Sequence, residues 1–179
     1  MKWKLVILCV LSLTACKKEE AVTPTTPSTF EAYSSTFSNG GEFPQKYTCD
    51  GASISPALAW KNPPVGTKGY AITMHHIPPT GDKHVYMCVY NIGPDVINFA
   101  ENTTNIGNWG INTVNGKNTY TPPCSQGPGA KIYVITVYAL SEQPTITIAA
   151  NKITMDVLLD AISTKTLAKS VLSVSYTRP

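Results

Sequence analysis

The side chains whose types and neighbourhoods could do chemistry are few: His75, His76, His84, Lys131 and Cys124. His75 and His76 are adjacent. In an extended strand neighbouring side chains point to opposite faces, so the two cannot ligate one metal ion. Adding His84 gives no recognised metal spacing, and no acidic cluster lies nearby, so no metal site is expected. Cys124, beside Lys131 and a histidine, has the setting of an activated thiolate, which would make the chain a hydrolase using Cys124 or His75. In an oxidising compartment the same cysteine is better used in a disulfide. There is no GxSxG elbow, phosphate-binding P-loop or dinucleotide glycine pattern, and Ser55 precedes a proline in a turn. No cofactor is expected, and a non-enzymatic protein is the leading expectation.

The elements that must position these residues read as mostly β. Residues 30–37 alternate apolar and polar, the period of a half-buried strand. Residues 68–77 and 85–92 are β-rich runs separated by the turn cluster Pro78-Pro79-Thr80-Gly81-Asp82. Residues 132–140 (IYVITVYAL) are dense in β-branched and aromatic side chains and belong in the middle of a sheet. Residues 98–128, rich in Asn, Gly, Thr and Pro, read as a long loop, and loops of that length are usually functional or disordered. One helix is expected: Thr154 caps it, Asp156 sits in its first turn, and Met155, Leu158, Leu159 and Ile162 repeat with helical spacing. Lys165 and Lys169 are placed near its end, and residues 171–176 form a last strand.

The N-terminus sets the compartment. Met1-Lys2-Trp3-Lys4 is a basic start, residues 5–13 are apolar, and Leu13-Thr14-Ala15-Cys16 closes the run as a bacterial lipobox does. Residues 1–15 are therefore expected to be a lipoprotein signal peptide and Cys16 the lipidated first residue. Residues 16–28 would be a Pro/Thr-rich tether and residues 29–179 the folded domain. Lys17-Lys18-Glu19-Glu20 resembles charged signals that send lipoproteins to the outer surface. The expected location is the cell envelope, anchored to a bacterial outer membrane. The whole chain has 14 Lys and Arg against 11 Asp and Glu. Losing Lys2 and Lys4 with the signal leaves a near-neutral chain, so a nucleic acid is not an expected partner. Cys49 and Cys124 both lie in turn-rich loops and Cys88 in an apolar strand. Cys49 is expected to pair with Cys124, although sequence alone does not fix connectivity.

Four segments resemble the phosphatidylethanolamine-binding protein family, in its bacterial YbhB/YbcL or Raf-kinase-inhibitor-like branch. They are Tyr47-Thr48-Cys49-Asp50-Gly51 leading to Ser55-Pro56-Ala57-Leu58-Ala59-Trp60, then Pro63 to Lys68, Val89-Tyr90-Asn91-Ile92, and Tyr120 to Leu140. The resemblance implies a β-fold of two antiparallel sheets with one C-terminal α-helix. It also implies a small pocket that takes phosphate or phosphorylated headgroups.

The pocket motifs depart from the family pattern. Where the family has DPDAP this chain has His75-His76-Ile77-Pro78-Pro79, which places His75 at the pocket aspartate and Ile77 at the second one. The family's strand histidine falls on Tyr86; His84, two residues earlier, keeps the same parity. In the HRY motif Lys131 and Ile132 replace His and Arg while Tyr133 survives, and the preceding Gly-Pro reads Pro122-Pro123. The resemblance thus implies that His75, Tyr86, Pro123, Lys131 and Tyr133 hold a small anionic, phosphoryl-bearing ligand in an altered pocket. Lys131 would supply charge and His75 a titratable donor. A decayed pocket on a protein-interaction or inhibitor module, with a protease or kinase-like partner, stays open beside it.

Overall fold

The computed structural model describes residues 29–79, 81–124 and 126–179. The signal peptide, Cys16 and the tether expected over residues 1–28 lie outside them. Among the described residues eight strands run in chain order: β1 Glu31–Tyr33, β2 Leu58–Lys61, β3 Gly69–His76, β4 His84–Ile92, β5 Asn98–Phe99, β6 Asn108–Trp109, β7 Lys131–Leu140 and β8 Thr166–Tyr176. One α-helix among the described residues, α1, spans Met155–Ile162. The strands form two antiparallel sheets, one ordered β1-β2-β5 and the other β6-β4-β3-β7-β8.

Alternation along β3 shows how two cores form from one strand. Tyr70, Ile72 and Met74 pack with Leu58, Trp60 and Phe99 of the smaller sheet and with Tyr133, Ile135 and Val137 of β7, so this core lies between the sheets. Ala71 faces the other way, into a second core made with α1 through Met155, Leu158 and Ile162. The strand run IYVITVYAL sits in the sheet interior as its composition demands, with β3 on one side and β8 on the other.

The departures from the sequence reading are local. The helix starts where expected, Thr154 Oγ1 accepting from Val157 N at 3.2 Å, a cap that contributes about 1 kcal/mol. It ends sooner: Thr166 already opens β8, so Lys165 and Lys169 are not helix-terminal cations, and Lys169 pairs with Tyr138 in the sheet. The first strand covers Glu31–Tyr33 and not residues 30–37. Residues 98–128 contain β5 and β6 and are organised by Asn112. That buried side chain donates to Asn115 Oδ1, Lys117 O and Thr119 O, and accepts from Val114 N and Asn115 N. A long polar loop is ordered here by its own amide.

Candidate functional site

A cleft of about 660 Å³ opens at the end of the five-stranded sheet where β3 finishes and β4 and β7 begin. β3 brings His76 to it, β4 His84 and Tyr86, and β7 Lys131. Thr113 and Val114 of the Asn112 loop, with Cys124, Gln126, Gly127 and Pro128, form its walls. Among the described lining residues there is no carboxylate, so the ionisable side chains there are cationic or neutral.

A β-bulge delivers the β4 residues. Met74 of β3 pairs with Met87, but the next residue, His75, pairs with Val85, leaving Tyr86 as an extra residue. Tyr86 and Met87 therefore both belong to the core between the sheets, while Val85 and Cys88 belong to the helix side. Without the bulge, strict alternation from Met87 would turn Tyr86 and His84 toward α1. With it, both share the cleft with His76, and His76 and His84 become direct cross-strand partners with ring centres 6.5 Å apart.

His76 is 6% exposed. Its Nδ1 lies 2.8 Å from Ile132 O. A carbonyl only accepts, so Nδ1 carries the proton and Nε2 is the nitrogen left for the cleft. The ring leans on Tyr133 at 5.5 Å, and Tyr133 in turn meets Tyr86 edge-on at 5.4 Å and Phe43 at 6.2 Å. Burial, and then the neighbouring Tyr133, push the Tyr86 phenol far above its ordinary range, so it remains a neutral hydrogen-bonding group. The Lys131 ammonium donates to Pro128 O at 2.8 Å and Gly129 O at 3.3 Å, which fixes the charge at the cleft's lip.

Cys49 and Cys124 are bonded, with their Cα atoms 5.3 Å apart. The bridge ties the cleft wall to the turn that follows the short 3-10 segment Gln45–Tyr47. Cys49 N donates to Pro123 O, and Tyr120 Oη to Tyr47 O, alongside it. Gly51 lies so close to the Gln45 and Lys46 backbone that a Cβ would collide there, which explains the glycine in that turn. Cys88 is free and buried on the helix side, where burial raises its thiol to about 12.

Tyr86 and Lys131 line the cleft. Tyr133 lies beneath it, fully buried, as support for His76 and Tyr86. Pro123 is not among the lining residues; it contributes its carbonyl to the Cys49 turn. His75 is also absent from the lining. Strand alternation puts it on the opposite face from His76, with Nδ1 buried and without a hydrogen-bond partner. Burial, then the charges of Lys83 and His76, hold its pKa below the usual imidazole value. His76 and His84 take the place in the cleft that the motif match gave to His75. Bonded Cys124 has no thiolate to offer, which removes it as a nucleophile, and His75 faces away from any substrate in the cleft.

Two antiparallel sheets, one helix among the described residues and a cleft at the ends of β3, β4 and β7 define the fold class. The sequence model described as "Phosphatidylethanolamine-binding protein" matches residues 33–177. A UPF0098 protein from Chlamydia trachomatis is 32% identical over 149 residues, 80% of this chain and 95% of that one. A UPF0098 protein from Aquifex aeolicus is 33% identical over 117 residues, 62% of this chain and 68% of that one. The crystal structure of the C. trachomatis homolog CT736 superposes with a TM-score of 0.76 at 28% identity, covering 84% of this chain and 98% of that chain. That of E. coli YbcL superposes at 0.75 and 21% identity, over 84% and 99%, a likeness of fold. The chain belongs to the phosphatidylethanolamine-binding protein family.

Proposed function

We propose that this protein is a non-enzymatic, lipid-anchored binding protein of the bacterial cell envelope that holds a small phosphoryl-bearing anion in the cleft. One observation carries the reading: His76, His84 and Lys131 converge on a cleft whose described lining holds no carboxylate. Lys131 supplies a permanent charge. His76, its Nδ1 proton committed to Ile132, offers the cleft a donor at Nε2 only when the ring is protonated. Tyr86 is a neutral partner for phosphate oxygens, and the cleft's volume suits a small ligand. Cys16 would tether the domain through residues 16–28 to the outer membrane.

The test is an NMR titration of the full chain with phosphate and phosphoethanolamine at pH 6 and pH 8. Saturable shifts at His76, His84 and Lys131 are the expected result. Their absence at millimolar ligand overturns it.

A second reading, docking of a protein at the cleft's rim, has its own observation in favour. Val114, which lines the cleft, and Ile77 and Ile132, which adjoin it in sequence or by the His76 bond, are exposed apolar side chains. It requires that rim substitutions, and not Lys131→Ala, abolish partner capture.

A further inference from the structure

The same cleft holds a feature that anion binding does not require. His76 and His84 are directly opposite each other in adjacent antiparallel strands, on one face, with ring centres 6.5 Å apart. Side chains at such positions are the closest neighbours a sheet provides. His76 is already arranged as a metal ligand is: Nδ1 donates to a backbone carbonyl, fixing the tautomer and ring orientation, and leaves the Nε2 lone pair for the cleft. His84 is exposed and free to change rotamer. With metal–nitrogen bonds of about 2.0–2.1 Å, two imidazoles sharing one ion have ring centres about 5–6 Å apart. A swing of His84 inward by roughly an ångström closes that gap.

We infer that His76 Nε2 and a ring nitrogen of His84 chelate a borderline divalent transition cation such as Zn²⁺, a site distinct in chemistry from the anion site proposed for the same cleft. Imidazole nitrogens select this class over Mg²⁺ or Ca²⁺, which take oxygen ligands. Among the described residues no group of three His, Cys, Asp or Glu surrounds a common point. The ion therefore has two protein ligands and keeps its other positions open to water or a bound anion. The charges nearest the pair do not block it. Lys131 is held by the Pro128 and Gly129 carbonyls, and Lys83, beside His84 in sequence, by Asp156 at 3.2 Å.

The experiment is calorimetric titration of the full chain with zinc chloride alone at neutral pH, with a long-range ¹H–¹⁵N spectrum of the imidazoles. Saturable one-to-one binding with shifts at the ring nitrogens of His76 and His84 is expected. His76→Ala and His84→Ala should each weaken it by at least about tenfold, while His75→Ala and Cys16→Ser leave it unchanged. Because His84 is exposed, its loss does not threaten the core, and that variant remains informative if His76→Ala misfolds. Zinc binding that survives His84→Ala, or no saturable binding, overturns the site. A phosphate titration in zinc-free buffer separates the two readings: zinc without phosphate upholds this inference alone, and phosphate without zinc refutes it alone.

Discussion

His76 and Ile132 are joined across the β3–β7 ladder by a 2.8 Å bond from Nδ1 to the carbonyl oxygen, and that bond decides which nitrogen the cleft receives. A neutral ring presents an acceptor at Nε2, and a protonated ring presents a donor. Loss of one charge-assisted hydrogen bond costs about 1.5–3 kcal/mol, or roughly tenfold to a hundredfold in affinity. His76→Ala is therefore expected to weaken phosphate binding by that factor. His75→Ala, on the opposite face, should leave it unchanged. Equal losses in the two variants, read by NMR titration, would contradict the assignment of faces.

Lys131→Met keeps the length of the side chain and removes its charge. The Pro128 and Gly129 carbonyls then lose their donor, so the lip of the cleft loosens as well. Phosphate affinity should fall at both pH values, and its dependence on salt should flatten, because screening acts on the charge that has gone. An unchanged salt slope would place the binding elsewhere.

His75 gives a stability prediction of definite sign. Its folded-state pKa lies below the ordinary value, chiefly through burial, so the unfolded chain binds a proton more readily than the folded one. Its contribution to stability is present above the ordinary imidazole pKa. It is lost as pH falls from there toward the depressed folded value. His75→Leu removes this acid-sensitive part and also the unpartnered buried Nδ1. The variant should unfold at a higher temperature than the parent at pH 5.5, with the gap narrowing at pH 8. A gap independent of pH would mean that His75 ionisation plays no part.

The fold was legible in the sequence where periodicity and motif agree. The β7 run, the Thr154 cap and the loop placement of Cys49 and Cys124 depend on local composition, and each stands in the structure. The cleft was legible by halves. Lys131 and Tyr86 followed from motif positions, but the choice between His75 and His76 turned on strand phase, which a one-residue offset inverts. His84 depended on a bulge at Tyr86 that no residue type announces. Spacing along the chain also hid the pairing of His76 with His84, since strand register, and not sequence separation, makes them neighbours. Asn112 was hidden for a related reason: a loop rich in Asn signals turns without saying which amide gathers the others.

Asn112 makes a further prediction. Its amide donates to three acceptors and its oxygen accepts two backbone N–H groups within the segment that supplies Thr113 and Val114 to the cleft. Asn112→Ala would leave these groups unpaired in a buried setting, at a cost of about 1–3 kcal/mol for each that water cannot reach. A clear drop in melting temperature is expected. Hydrogen exchange should show faster exchange at Val114, Asn115 and Lys117 while β3 and β7 stay protected. Uniform loss of protection would mean that the loop and the sheet unfold together.

The disulfide closes a loop of 75 residues in sequence separation, and the chain-entropy model assigns such a loop about 4 kcal/mol. Cys124 also lines the cleft, so its loss has two separable effects. The double variant Cys49→Ser with Cys124→Ser should lose several kcal/mol in denaturant unfolding. At temperatures where it stays folded, Pro123 O can still accept from the backbone N–H at position 49, and Tyr120 still donates to Tyr47 O. The wall is thereby kept near its place. Phosphate affinity should then fall by less than in Lys131→Met. A variant with full stability but no binding would show that the bridge serves the cleft's shape and adds nothing to the fold.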